Sequence, residues 1–93
     1  MSMQDVEGQD KLSDSRLRDR MHWRCRRGML ELDQLMLRWL DRQGPQATPA
    51  QLAVFERLLD VEDDQLWRWC MRRERPQEQE LHELVERILA LPA

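Results

Sequence analysis

Arg26-Arg27-Gly28-Met29-Leu30-Glu31-Leu32-Asp33-Gln34-Leu35-Met36-Leu37-Arg38-Trp39-Leu40-Asp41-Arg42 is the stretch that settles the fold class. Leu32, Leu35, Met36, Trp39 and Leu40 recur at i, i+3, i+4, i+7 and i+8, which is one apolar face of an α-helix. Glu31 and Asp33 lie in or near the first turn, where carboxylates meet the positive end of the helix dipole. A helix over Met29 to Arg42 is therefore expected. Gly28 stands where a helix C′ glycine belongs, because only glycine enters the left-handed region without steric cost. The preceding segment, Ser15 to Arg26, reads as a separate helix with Leu17, Met21 and Cys25 on its buried stripe.

Downstream, the punctuation repeats. Gly44-Pro45 ends the second helix. Thr48-Pro49-Ala50-Gln51 starts a third, with Thr48 as N-cap, Pro49 at N1 and Gln51 closing a capping box. Leu52, Phe55, Leu58 and Leu59 form its core face. Asp60-Val61-Glu62 reads as a turn and Asp63 as the cap of a fourth helix, which buries Leu66, Trp69 and Cys70. Arg75-Pro76 breaks the chain again, because the residue before a proline avoids the helical region. Leu81, Leu84, Val85, Ile88 and Leu89 give the last helix a second complete stripe. The expectation is an all-α fold, a compact bundle of five short helices over residues 15–93. Residues 1–14, acidic and without periodicity, are expected to form a flexible tail.

The chain has 93 residues, enough for one domain with a thin core. Its 18 acidic and 15 basic residues leave a formal net charge of −3, the opposite of the usual sign for a nucleic-acid-binding domain. All the basic residues except Lys11 are arginine. Cys25 and Cys70 are too few for a disulfide framework. The opening residues lack the apolar run of a signal peptide, and no stretch approaches a membrane span. A cytoplasmic monomer with reduced thiols, without a membrane partner, is the expectation.

Catalytic constellations are missing. His22 and His82 are the only histidines, and neither has an evident nucleophile beside it; the three glycines are too scattered for a phosphate loop. His22 and Cys25, at i and i+3, supply two of the four ligands that a stable metal site needs. Arg16, Arg18, Arg20, Arg24, Arg26 and Arg27 crowd the first helix with only Asp19 among them, which reads either as a basic patch or as a solvated helix face. Of the four tryptophans, Trp39 and Trp69 lie on buried stripes, whereas Trp23 and Trp67 lie off them, where an indole can anchor a protein interface. Around Gly28 the chain must turn in the open. Arg27 and Glu31, on either side of that corner, can pair with each other or together offer a partner a fork donor and an acceptor.

His22-Trp23-Arg24-Cys25-Arg26-Arg27-Gly28-Met29-Leu30-Glu31-Leu32-Asp33 resembles the signature of the FAD assembly factors of succinate dehydrogenase, the SdhE type, whose hallmark is Arg-Gly-x-x-Glu. The likeness covers roughly Arg16 to Leu91. It takes in Phe55-Glu56-Arg57-Leu58-Leu59, the acidic turn Glu62-Asp63-Asp64, Leu66-Trp67-Arg68-Trp69 and the break at Pro76. Glu74-Arg75 departs from it, since many relatives carry a glycine there. The resemblance implies a non-enzymatic chaperone that binds the immature flavoprotein subunit of succinate dehydrogenase, and often that of fumarate reductase. It implies that the factor promotes covalent attachment of FAD to a client histidine. The client would perform the bond formation, and the FAD would belong to it, none being held tightly by the factor. By the same resemblance Arg27, Gly28 and Glu31 engage the client, with Arg26, Asp33 and Trp23 around them. Two alternatives remain open: a regulatory, antitoxin-like binding module, and nucleic-acid binding through the arginine-rich first helix.

Overall fold

The computed structural model of the protein describes residues 15–92, so the acidic segment 1–14 falls outside the described residues. Five α-helices follow in order: α1 (Ser15–Arg24), α2 (Leu30–Arg42), α3 (Pro49–Leu59), α4 (Asp63–Cys70) and α5 (Gln79–Ala90), with a 3-10 turn at Gly44–Gln46 between α2 and α3. Among the described residues there is no strand, and no helix is long and apolar enough to cross a membrane.

The helical stripes converge on one core. Met21 and Cys25 of the first segment meet Leu32, Met36, Trp39 and Leu40 of α2, Phe55 and Leu58 of α3, Leu66 of α4, and Leu84, Val85 and Ile88 of α5. Trp39 stacks on Phe55 with ring centroids 4.3 Å apart, tying α2 to α3 through the two largest core rings. The last helix packs against α2, α3 and α4, and α1 packs on α2. The α3 start is as expected: the Thr48 hydroxyl accepts from the Gln51 amide at 3.1 Å, and the Gln51 side chain accepts from the Thr48 amide at 2.9 Å.

Three boundaries differ from the sequence reading. The first helix stops at Arg24 rather than Arg26. The Arg26 amide reaches back to the Trp23 carbonyl, tightening the last turn, and the Arg27 amide leaves the helix ladder for the Asp33 carboxylate. Gly28 does take a positive φ of 90°, but within the connection to α2 and not immediately after a helix end. Finally, Asp63 does not cap α4. Glu62 occupies the N-cap without a side-chain bond, while the Asp63 carboxylate is drawn away to Arg27.

The end of α4 is closed at Arg72, ahead of the Glu74-Arg75 departure, and without a glycine. Arg72 sits in the left-handed region at φ 61°, the position glycine normally fills. The Arg73 amide bonds the Arg68 carbonyl at 2.9 Å and the Arg72 amide bonds the Trp69 carbonyl at 3.1 Å, the bond pair of a Schellman motif. A non-glycine residue there carries about 1–2 kcal/mol of strain. Arg72→Gly removes it at the expense of an exposed pair with Glu86. A net gain of about 0.5–1 kcal/mol in unfolding free energy is expected from a urea titration; a loss would show that the pair outweighs the backbone.

Both thiols are buried and free. Burial, opposed by the charge of Arg27 and assisted by Asp41 and Asp33, pushes Cys25 up to about 12; burial alone pushes Cys70 up to about 11. An unfolded thiol ionises near ~8.5. Above that pH the unfolded chain holds fewer protons than the native one, so stability falls as pH rises toward 11 and 12 and is unaffected below about 8.5. The expected slope is up to ~1.4 kcal/mol per pH unit per thiol. Urea midpoints between pH 8 and 10.5 measure it, and alkylation at pH 8 should modify neither cysteine until the protein unfolds.

Candidate functional site

The connection from α1 to α2, residues 25–29, forms a corner whose inner and outer sides differ sharply. The inner side is built by Arg27. Its side chain is only 10% exposed. Its Nε donates to the Asp63 carboxylate at 2.6 Å, one Nη donates to the Leu59 carbonyl at 2.8 Å, and the other donates to the Val61 carbonyl. Leu59 ends α3 and Asp63 begins α4. The guanidinium thus answers the electron-rich carbonyl end of one helix and a carboxylate at the start of the next, while its planar fork satisfies three acceptors at once. Arg24 adds an ion pair with Asp60 beside it, and His22 Nε2 meets Asp41 at 2.9 Å, joining α1 to α2.

Asp33 also works inward. Its carboxylate accepts from the Arg27 backbone amide at 2.7 Å, so the two residues fix the path of the chain into Gly28. Gly28 itself is exposed, and a Cβ built on it would meet nothing within 4 Å. Lack of space therefore does not explain a glycine here; the positive φ does.

The outer side carries Trp23, 71% exposed, and Leu30, 70% exposed, two of the large hydrophobic side chains left in solvent. The Arg26 guanidinium lies 6.0 Å from the centre of the Trp23 ring, a cation–π distance. Glu31 is exposed and has no hydrogen-bond or ion-pair partner among the described residues. The corner thus offers two apolar groups, one cation and one free carboxylate around a glycine turn.

Of the six residues singled out from sequence, Trp23, Arg26, Gly28 and Glu31 are exposed, whereas Arg27 and Asp33 brace the corner from within. The expectation that Arg27 and Glu31 pair, or present a joint fork, is corrected: the guanidinium is consumed by α3 and α4 before it can reach Glu31. Leu30 was not singled out, although a signal existed. It falls off the stripe that runs from Leu32, which leaves it no core to enter. Trp67 packs half-buried against the core, and Trp69 is half-buried instead of enclosed. His22 and Cys25 form no joint ligand pair, since His22 engages Asp41 and Cys25 is sealed in the core; among the described residues no group of three or more His, Cys, Asp or Glu side chains gathers for a metal.

A family model described as flavinator of succinate dehydrogenase matches residues 19–92. The FAD assembly factor SdhE of Xylella fastidiosa (strain 9a5c) is 48% identical over 75 residues, covering 81% of this chain and 77% of that protein. That of Legionella pneumophila (strain Paris) is 43% identical over 75 residues, 81% of this chain and 94% of its own. The Idiomarina loihiensis protein of the same name is 38% identical over 82 residues, 86% and 91%. No solved structure matches. The matched span runs from inside α1 past the end of α5, so the glycine corner, its arginine brace and the helices that hold both lie within it, and the chain belongs to the family of flavinators of succinate dehydrogenase.

Proposed function

We propose that this protein is an assembly factor that docks its Gly28 corner onto the immature flavoprotein subunit of succinate dehydrogenase and promotes covalent attachment of FAD to a histidine of that client. The observation that carries the reading is the corner itself: an unpartnered Glu31 carboxylate and exposed Trp23 and Leu30 side chains at the two ends of a turn clamped from behind. A rigid surface of this kind loses little entropy on docking, and tryptophan is among the side chains that dominate interface energetics. The factor acts by positioning, not by bond chemistry of its own. Attack on the flavin methyl carbon falls to the client histidine, and holding client and flavin in a reactive arrangement accelerates that step. In this reading FAD stays with the client, the flavoprotein subunit of fumarate reductase is a second client, and the factor works as a cytoplasmic monomer.

The arginine-rich segment 16–27 is less available to nucleic acid than its composition suggests, since Arg24 is paired with Asp60 and Arg27 is turned inward. The test combines the protein, the unflavinylated subunit and FAD, and follows flavin fluorescence on that subunit after denaturing electrophoresis. A band that depends on this protein supports the proposal. A band equally strong without it, under conditions where an active SdhE stimulates, moves the reading to a regulatory partner.

A further inference from the structure

A second, separate cluster lies where α4 gives way to α5. A hollow of about 420 Å³ there is lined by Trp69, Arg73, Arg75 and His82, with the Glu74 and Glu86 carboxylates also in its wall, and a neighbouring one shares Arg75, Pro76 and His82. Four arginines crowd this end of the molecule: Arg68, Arg72, Arg73 and Arg75. The nearby carboxylates are already committed. Glu86 receives two bonds from Arg72 at 2.9 Å, and Glu74 turns back to Gln65 and Arg68. On α5, Glu83 accepts from Gln79, while Glu80 and the N-cap Glu78 are taken by Arg57. Arg73 and Arg75 are exposed and have no partner among the described residues.

Two features make these cations more than solvated surface charge. First, their backbone is fixed: the Schellman motif holds Arg72 and Arg73, the Glu74 amide also reaches the Arg68 carbonyl at 3.3 Å, and buried Pro76 restricts Arg75 to extended conformations. Second, His82 lines both hollows with its Nδ1 shut from solvent and unpartnered. An orphan N–H costs more than an orphan lone pair, which places the ring proton on Nε2 and makes that atom a donor.

We infer that this hollow binds a phosphate-bearing anion, with the Arg73 and Arg75 guanidinium groups and the His82 ring as its donors. Arginine forks match phosphate oxygens in pairs, and a diphosphate spans two of them better than a single phosphate. Trp69 is half-buried and lines the same hollow, so a nucleobase bound there would meet its indole.

Calorimetric titration of the full chain with sodium pyrophosphate, inorganic phosphate and ADP at low ionic strength tests this, with the Trp69 and His82 resonances followed by NMR. Saturable pyrophosphate binding on the order of 0.1–1 mM is expected, with phosphate weaker. Arg73→Gln and Arg75→Gln, both at exposed positions, should each weaken it about tenfold. Arg20→Gln, in the basic first helix, should leave it unchanged. ADP binding more tightly than pyrophosphate and shifting the Trp69 indole would assign the site to a nucleotide; equal affinities would assign it to the phosphates alone. No saturation by about 10 mM, or equal weakening by Arg20→Gln, overturns the site, since either means diffuse electrostatic attraction. These outcomes are independent of whether the Gly28 corner docks a client.

Discussion

Arg27→Ala should unfold roughly 12–24 °C below the native protein, the shift that a loss of about 3 kcal/mol produces in a domain of this size. Truncation leaves the Leu59 and Val61 carbonyls and the Asp63 carboxylate without their shared donor, in a place where water reaches the guanidinium only at its edge. A partly buried charge deprived of its counterpart is among the costlier defects that a single substitution can create. Arg27→Lys should recover little, because an ammonium is a point donor and cannot serve three acceptors in one plane. Arg24→Ala provides the contrast: its pair with Asp60 is solvent-exposed, and its removal should change stability by no more than about 1 kcal/mol. Thermal unfolding followed by circular dichroism ranks the three. An Arg27→Ala protein as stable as Arg24→Ala would mean that the clamp contributes nothing and that the residue is free to face a partner.

Glu31 should behave in the opposite way. Glu31→Ala and Glu31→Gln remove an exposed carboxylate with no hydrogen-bond or ion-pair partner among the described residues, so stability should stay within about 0.5 kcal/mol of the native protein. Flavin attachment to the client should nevertheless fall by about 10–100-fold, the worth of one hydrogen bond to a charged group. Trp23→Ala should likewise fold normally, its indole being 71% exposed, and should weaken client binding by roughly 30-fold or more if the ring is a hot spot. The pair of readouts separates the two roles at the corner. Arg27→Ala is expected to lower both stability and flavin attachment, whereas Glu31→Gln and Trp23→Ala are expected to lower attachment alone. Full flavin attachment with Glu31→Gln would remove the carboxylate from the docking surface and leave the apolar pair to carry it.

The contrast between Arg27 and Glu31 marks how far the residues could be read in order. Period and punctuation determined the helices: stripes at i, i+3, i+4, i+7 in α2 and α5, and the Thr48-Pro49 start of α3, are local properties that survive in any tertiary setting. The exposure of Trp23 and Glu31 and the turn at Gly28 were equally legible, because Trp23 falls off its stripe, Glu31 is charged, and Gly28 turns where other residues are strained. Leu30 follows the same logic once the stripe is taken to begin at Leu32.

What tertiary structure alone decided is where side chains on the turns point. Arg27 turns inward because two backbone carbonyls, 32 and 34 residues along the chain, come together at the α3–α4 turn. A carbonyl oxygen is the same at every residue, so no sequence signal announces it. That same encounter drew Asp63 from its capping role, and the shortness of α4, covered by α5, left Trp69 half-open to a hollow instead of enclosed. Local periodicity fixes which face of each helix is apolar, since that depends on spacing along one chain segment. The partners of a polar side chain at a corner depend on which helix ends the packing brings together, and only the assembled core determines that.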